Sequence, residues 1–236
     1  MIRLSAIGDS LTRAQLSADY LAPLSALMPG RVSTSRLAAN GDFAWNLLQR
    51  LDEVVSTPAD LVTVMIGTND ARASLPGFAL DRWKKRKQLP TEPSPGWFED
   101  CLGRVVDRLR SETDAEIGLA SIPVLGQDLK ASPAEASARY SAIIADLAAS
   151  NGVVYLPVHE RQVAELAAEQ PAAVPYEEMT VPGFLAMLAE RRILGRSLDT
   201  ISDRRGLLLT VDHVHQNSKG AALIAETLEA GLLRRH

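Results

Sequence analysis

The chain has 236 residues, of which 46% are hydrophobic and 23% are charged, and its formal net charge is −4 at pH 7. This length and apolar content suit one sizeable domain and exclude a disordered chain. The slight negative charge gives no reason to expect nucleic acid or an anionic membrane surface as a partner.

Cys101 is the only cysteine, which excludes an intramolecular disulfide and a cysteine-rich metal site. We interpret it as a small apolar residue of a helix. Arg3 and Asp9 interrupt any apolar run near the N-terminus, which argues against a signal peptide, and no stretch approaches the roughly 20 apolar residues of a membrane span. We therefore expect a cytoplasmic protein without stable membrane insertion, and the sequence leaves its oligomeric state open.

Short apolar runs alternate with helical patterns along most of the chain. The predicted strands are Ile2–Ile7, Val32–Leu37, Leu61–Ile66, Ile117–Ile122 and Val153–Leu156. The predicted helices are Thr12–Met28, Phe43–Val55, Trp97–Glu112, Pro133–Ser150 and Ser218–Leu233. This order predicts a three-layer αβα fold of the α/β class, with a flavodoxin-like parallel five-stranded sheet in the order 2-1-3-4-5. No internal repeat is present, so we expect a single domain over residues 1–236.

The stretch 71–96 interrupts this alternation. It contains RWKKRKQLPTEPSPG, in which a basic helical piece precedes a proline-rich loop. A run of Lys and Arg can bind phosphates or nucleic acid. Because Trp83 is the only aromatic residue within the basic piece, we interpret it as a solvated helix face.

A second interruption, at residues 159–205, predicts a late helical insertion without a clear strand. Its helical patterns are Glu160–Glu169, Pro182–Leu194 and Ser197–Arg205. Two interpretations stay open: a helical cap over the functional edge of the sheet, or a peripheral elaboration that does not touch substrate. Its apolar residues either line an acyl pocket or form the buried face of a helix; they are Phe184, Leu185, Met187 and Leu188.

Small polar residues follow each of the first three predicted strands. The segments are GDS at 8–10, NGD at 40–42 and GTND at 67–70. Since strands 2, 1 and 3 are neighbours in the predicted sheet, their carboxyl ends should meet at one edge. Turn chemistry explains each segment alone, because Asp and Asn cap helices and Gly supplies positive φ. Their joint occurrence favours a functional site.

A serine hydroxyl becomes a nucleophile when a base takes its proton, and that base is most often histidine. Of the four histidines, His236 is terminal and His159 begins a predicted helix, so we interpret both as solvated. The other two lie in TVDHVHQNSKG, before the last helix. Asp212 precedes His215 by three residues, so its carboxylate can bond the imidazole Nδ1–H, whereas His213 is the less favoured base.

Together these segments resemble the motifs of the SGNH hydrolases of the GDSL esterase/lipase superfamily. The matching residues are GDSL at Gly8–Leu11, the glycine at Gly41, GTND at Gly67–Asp70 and DHVH at Asp212–His215. They occur in the family's order over nearly the full length of the chain. The motifs identify the superfamily but no substrate, and the segments 71–96 and 159–205 depart from the family pattern outside the motifs.

The resemblance implies a serine esterase that hydrolyses a carboxylic ester of a small or medium acyl or acetyl group. Ser10 would attack the carbonyl carbon, with His215 as base and Asp212 as its orienting partner, and an acyl-enzyme would form. The oxyanion would be held by the backbone N–H groups of Ser10 and Gly41 and by the side-chain amide of Asn69. The implied chemistry needs no metal or cofactor.

Two acidic residues of the motifs, Asp9 and Asp70, are interpreted as structural: they would cap helices and brace the turns that present Ser10 and Asn69. An acyltransferase with the same site and a non-catalytic binding module on the same fold stay as alternatives. A nucleotide-binding flavodoxin-like protein is disfavoured, because no glycine-rich phosphate motif follows the first strand. We expect a small-molecule ester as partner; lysophospholipid, acyl thioester, acetylated sugar and aryl ester are all compatible.

Overall fold

A five-stranded parallel sheet forms the centre of the chain. The computed structural model describes residues 1–233, so the predicted solvation of His236 lies outside the described residues. The strands are β1 (Ile2–Gly8), β2 (Val32–Ala38), β3 (Leu61–Met65), β4 (Glu116–Ala120) and β5 (Val154–Leu156). They are hydrogen-bonded in the order β2-β1-β3-β4-β5, which confirms the predicted topology.

Helices cover both faces of the sheet. They are α1 (Ser10–Arg13), α2 (Leu21–Leu27), α3 (Ala44–Gln49), α4 (Leu51–Val55), α5 (Thr68–Arg72), α6 (Leu80–Lys87), α7 (Pro95–Glu112), α8 (Ser132–Asn151), α9 (Val158–Glu169), α10 (Val181–Arg192), α11 (Leu198–Arg204) and α12 (Ser218–Gly231). One apolar core packs α3, α4, α7 and α8 against the sheet, and Cys101 of α7 is buried in it, as predicted. A second core packs α2 and α12 against the opposite face. The chain is therefore a three-layer αβα fold.

The carboxyl ends of the neighbouring strands β2, β1 and β3 are in register. Gly8, the last residue of β1, pairs with Ala38 of β2 on one side and with Met65 of β3 on the other. A Cβ atom on Gly8 would lie only 2.3 Å from the carbonyl oxygen of Met65, so a glycine is needed for this close approach. The loops after these strands consequently start at the same level of the sheet edge.

The predicted helix Thr12–Met28 is wrong as a single element, because the chain breaks it into α1 and α2. Ala14 takes a left-handed conformation with φ of 58°. The chain then turns toward the loop before α12, where Ser17 Oγ accepts a hydrogen bond from the Gln216 N–H (2.9 Å) and the Ala18 N–H donates to the Gln216 carbonyl (2.7 Å). A tertiary contact thus overrides the helical periodicity.

The predicted helix Phe43–Val55 is likewise divided, into α3 and α4, at Arg50. The Arg50 guanidinium donates to the carbonyl oxygens of Gly8 (2.8 Å) and Leu37 (2.8 Å) and to the Asp42 carboxylate (2.7 Å). This one side chain therefore ties together the ends of β1 and β2 and the turn that follows β2.

The late insertion contains α9, α10 and α11 and, between α9 and α10, a segment without helix or strand that we call the linker segment (residues 171–180). Met187 of α10 is buried with Leu198 and Ile201 of α11, whereas Leu185 is 57% exposed. The same cluster includes Val211, beyond the insertion, so Met187 packs both within the insertion and against the body of the domain. Across residues 1–233, no helix combines the length and apolar character that crossing a membrane requires.

Candidate active site

Ser10 is the first residue of α1 and lies immediately beyond the end of β1. The Asp9 side chain caps this helix by accepting a hydrogen bond from the Leu11 N–H at 2.9 Å. The cap fixes the sharp strand-to-helix turn and leaves the Ser10 side chain at the sheet edge, with 7% of the residue exposed.

The loop before α12 brings a histidine and a carboxylate to the same place. His215 Nε2 lies 3.1 Å from Ser10 Oγ, and His215 Nδ1 lies 2.7 Å from Asp212 Oδ2. The other carboxylate oxygen, Asp212 Oδ1, accepts the backbone N–H groups of Val214 (3.1 Å) and His215 (2.7 Å). With Nδ1–H donating to the carboxylate, Nε2 is free to accept the serine proton.

The electrostatics of the pair keep the carboxyl group ionised. Burial acts to raise the pKa of Asp212, but its electrostatic interaction with His215 and the hydrogen bonds from His215 and Val214 outweigh burial and lower this pKa overall. A buried carboxylate with these partners can stabilise an imidazolium ion as it forms.

Asn69, in α5, follows β3 and holds its side-chain amide beside the turn after β2. Its Nδ2 donates to the Asp42 carbonyl at 2.9 Å, and its Oδ1 accepts from Arg72 Nη1 at 3.1 Å. The amide nitrogen carries two hydrogens, and the second has no acceptor among residues 1–233. Gly41, next to Asp42, has φ of +72°, a left-handed conformation that favours glycine. The side-chain amide of Asn69 and the backbone N–H of Gly41 therefore lie where the ends of β1, β2 and β3 meet.

The family of the chain follows from a comparison with protein-family models. Residues 6–223 match the GDSL-like lipase/acylhydrolase family. The chain belongs to that family. It is accordingly a carboxylic ester hydrolase, as its sequence motifs predict.

Solved structures resemble this GDSL-family chain over nearly its whole length. A variant of an acetyl xylan esterase from Geobacillus stearothermophilus has a TM-score of 0.69 and 18% identity, and the match covers 97% of this chain and 93% of that one. An alpha/beta hydrolase enzyme from the metagenome of Lake Arreo, Spain, has a TM-score of 0.66 and 19% identity, with 97% and 94% covered. The acetyl xylan esterase AlAXEase has a TM-score of 0.66 and 18% identity, and the match covers 97% of this chain and 98% of that one. At these identities the likeness concerns the fold, and no curated protein matches the sequence.

The two acidic residues beside the site make the hydrogen bonds of structural caps. Asp70 Oδ2 accepts the N–H of Ala44, the first residue of α3, at 3.1 Å, so it caps a neighbouring helix. Burial raises the pKa of Asp70 to about 7 and that of Asp9 to about 6. One carboxylate oxygen of each has no hydrogen-bond partner within the described chain. Asp9 thus caps the helix that begins at Ser10, whereas Asp70 caps α3 rather than the helix that carries Asn69, and burial makes both caps electrostatically unfavourable.

The helix α6, which contains the basic run, packs against the turn after β2. Lys87 Nζ donates to the Asn40 carbonyl (2.6 Å) and to Asp42 Oδ1 (2.8 Å). The Trp83 ring is so close to Gly41 that a Cβ on this glycine would lie 2.4 Å from it. The interpretation as a solvated face holds for the exposed Lys85, but it is wrong for the half-buried Trp83 and Lys87, which contact the turn that carries Gly41.

The two other described histidines take no part in the contact with Ser10. His213, with φ of +70°, packs against the Tyr176 ring at 5.5 Å between centroids. His159 is buried, so its predicted solvation is wrong. Its backbone N–H donates to Ser121 Oγ at 2.9 Å, and burial lowers the pKa of its side chain. The start of α9 lies against the residue after β4, a placement that the local sequence does not encode.

One pair of residues that contacts the site, Arg72 and Glu178, was not predicted from the sequence. Arg72 bonds Asn69 Oδ1, as described, and forms an ion pair with Glu178 of the linker segment (Nη2–Oε2, 2.5 Å). The two residues are 106 positions apart, and neither belongs to a motif. No signal in the sequence could have paired them.

Proposed function

We propose that the chain is a serine esterase in which Ser10 is the nucleophile, His215 the general base and Asp212 its orienting partner. The observation that carries this proposal is the chain of two hydrogen bonds that joins the three side chains, at 3.1 Å and 2.7 Å. Histidine between a buried carboxylate and a serine hydroxyl is the arrangement that activates serine for acyl transfer.

The reaction takes place in two halves. In the first, Ser10 Oγ bonds to the ester carbonyl carbon, its proton moves to His215 Nε2, and the carbonyl electron pair moves to oxygen. Collapse of this tetrahedral intermediate breaks the bond to the leaving oxygen, and His215 protonates the departing alcohol. In the second half, water attacks the acyl-enzyme with His215 again as base, which releases the acid and restores the Ser10 hydroxyl.

The negative charge that develops on the carbonyl oxygen needs fixed donors. The candidates are the backbone N–H groups of Ser10 and Gly41 and the second amide hydrogen of Asn69. Register supports their convergence, because they follow strand ends that pair side by side, and Asn69 bonds the turn that contains Gly41. Neutral, preorganised donors of this kind stabilise the transition state without a metal or cofactor.

The substrate is an ester with a short acyl group, with acetylated sugars as the first candidates. Ser10 and His215 are each only 7% exposed, and the Trp83 ring covers one side of Gly41. From this low exposure and this covering ring we infer that the site takes an acetyl group rather than a long acyl chain. Two of the structurally similar proteins are described as acetyl xylan esterases, which supports the same choice.

Turnover of a series of esters tests this proposal. The series contains p-nitrophenyl esters from acetate to palmitate and acetylated xylose, and kcat/KM is measured for each. We expect the acetyl esters to react fastest and Ser10→Ala to lower kcat by on the order of 10⁴ or more. The exposed Ser150 provides the control Ser150→Ala, which should leave kcat unchanged. A palmitate optimum would overturn the substrate class, and turnover that survives Ser10→Ala would overturn the mechanism.

A further inference from the structure

The side chain of Arg72, near the start of the stretch 71–96, contacts both that stretch and the late insertion. This residue ends α5, three positions after Asn69, and is 8% exposed. Its guanidinium carbon lies 5.4 Å from the centroid of the Phe78 ring, which belongs to the stretch 71–96. On another side its Nε and Nη2 contact the two carboxylate oxygens of Glu178, from the late insertion, at 3.2 Å and 2.5 Å.

The linker segment that carries Glu178 also contacts the other half of the site. The Tyr176 hydroxyl donates to Glu178 Oε1 at 2.6 Å, while the Tyr176 ring packs against His213, between Asp212 and His215. The linker segment is therefore in contact with the Asn69 side of the site through Glu178 and with the Asp212–His215 loop through Tyr176.

The remaining donor of Arg72 determines which way the Asn69 amide can point. A guanidinium only donates hydrogen bonds, so Arg72 Nη1 can bond Asn69 Oδ1 but not Nδ2. The Asp42 carbonyl only accepts, so it can bond Nδ2 but not Oδ1. Rotating the amide by 180° would break both bonds and would turn its oxygen toward the developing oxyanion. The two contacts together admit one orientation, in which an amide hydrogen is left for substrate.

We propose that Arg72 is a positioning residue for the oxyanion donor Asn69, and that the late insertion holds Arg72 in place through Glu178. This inference rests on the proposed function, because it requires Asn69 to contact the oxyanion. A competing explanation is that the ion pair only fastens the insertion to the body of the protein. The two explanations differ in one respect: positioning requires Arg72 to act through Asn69.

A double-mutant cycle between Arg72→Met and Asn69→Ala separates these explanations, with kcat and KM measured on p-nitrophenyl acetate. Loss of an oxyanion donor typically costs on the order of 10²–10³ in kcat. Misplacing one should cost about 10-fold to 100-fold, so we expect that loss for Arg72→Met, with KM changed by less than about 3-fold. In the Asn69→Ala background, Arg72→Met should lower kcat by less than about 2-fold. Equal losses in both backgrounds would overturn the inference.

Matched variants guard against trivial loss of structure. Arg108 of α7 forms exposed ion pairs with Glu112 and Asp52, so Arg108→Met makes the same substitution at a surface ion pair and should leave kcat within about 2-fold. Glu178→Gln keeps a hydrogen-bonding group of the same size and should lower kcat several-fold, again only when Asn69 is present. If Arg72→Met does not fold, the cycle between Glu178→Gln and Asn69→Ala replaces it. Equal losses of kcat for Glu178→Gln with and without Asn69 would then overturn the inference.

Failure of this inference can be told apart from failure of the proposed function. Turnover that persists in Ser10→Ala would mean that Ser10 is not the nucleophile, whatever Arg72 does. Turnover that depends on Ser10, together with additive losses in the cycle, would refute the role of Arg72 alone and leave the esterase mechanism intact.

Discussion

Ser10 Oγ lies 3.1 Å from His215 Nε2, although the two residues are 205 positions apart in the sequence. Ser10 follows β1, and His215 lies in the loop before α12. The same two regions are also joined by the hydrogen bond from the Gln216 N–H to Ser17 Oγ. This neighbouring hydrogen bond therefore holds the two regions together without involving the side chains of Ser10 or His215.

Asp212→Asn should lower kcat by on the order of 10³–10⁴ without unfolding the protein. The asparagine oxygen can still accept the N–H groups that Asp212 Oδ1 accepts, so the loop should keep its shape. Its amide group would face His215 Nδ1 as a donor and impose the wrong tautomer. The test is kcat on p-nitrophenyl acetate together with the thermal midpoint; a variant with wild-type kcat would exclude Asp212 from the mechanism.

Gly41→Ala should lose both stability and activity, and Gly77→Ala separates the two reasons. Both glycines have positive φ, +72° and +85°, so either alanine is strained by about 1 kcal/mol. A Cβ at position 41 would meet the Trp83 ring at 2.4 Å, whereas a Cβ at position 77 meets nothing within 4 Å. Urea unfolding and kcat should both show the larger loss for Gly41→Ala. Equal effects of the two variants would mean that Trp83 does not confine Gly41.

Asp70→Asn should change how stability depends on pH. Burial raises the pKa of Asp70 to about 7, whereas the unfolded chain has the ordinary value of about 4. The folded state thus binds this proton more tightly, so the contribution of Asp70 to the free energy of unfolding is fully present below about pH 4 and is lost as the pH rises through about 7. The free energy of unfolding of wild type minus that of Asp70→Asn should therefore fall as the pH rises from about 4 to about 7.

The exposed Asp60 supplies a control of opposite sign. Hydrogen bonds from Arg3 lower the pKa of Asp60 to about 2, so its contribution is present above about pH 4 and is lost as the pH falls toward 2. Urea unfolding of wild type, Asp60→Asn and Asp70→Asn at a series of pH values measures both trends. If the difference in free energy of unfolding between wild type and Asp70→Asn does not vary with pH, Asp70 is not buried as described.

Lys87→Met should lower kcat more than Lys85→Met does, although both lysines belong to the basic run and lie two positions apart. Lys87 holds the turn after β2 through the Asn40 carbonyl and the Asp42 carboxylate, and Lys85 is exposed. We expect a loss of about 10-fold for Lys87→Met, since the turn carries Gly41, and less than about 2-fold for Lys85→Met. Similar kcat values for both variants would indicate that the whole basic run is only a solvated helix face.

The sheet order, the αβα layering and the family could be predicted from the sequence because each depends on local signals. Short apolar runs mark buried strands, and the motif residues lie directly after the strand ends, where parallel topology brings them together. The placement of Ser10, Gly41 and Asn69 at one edge follows from that topology alone. Their catalytic roles remain a prediction.

The parts that the sequence did not reveal depend on contacts between distant segments. The helix expected over Thr12–Met28 breaks because Ser17 and Ala18 bond Gln216, and His159 is buried because α9 begins against Ser121. Neither partner is visible in the local pattern. The contacts of Trp83, Lys87 and Arg72 belong to the same class: long-range packing decides which charged or aromatic side chains face the site.

Mass spectrometry of the intact protein after treatment with a fluorophosphonate probe shows whether Ser10 is an activated nucleophile. We expect a single covalent adduct that peptide mapping assigns to Ser10, no adduct in Ser10→Ala, and a much slower reaction in His215→Ala. An adduct of equal yield in Ser10→Ala, or one that maps to another residue, would contradict this expectation.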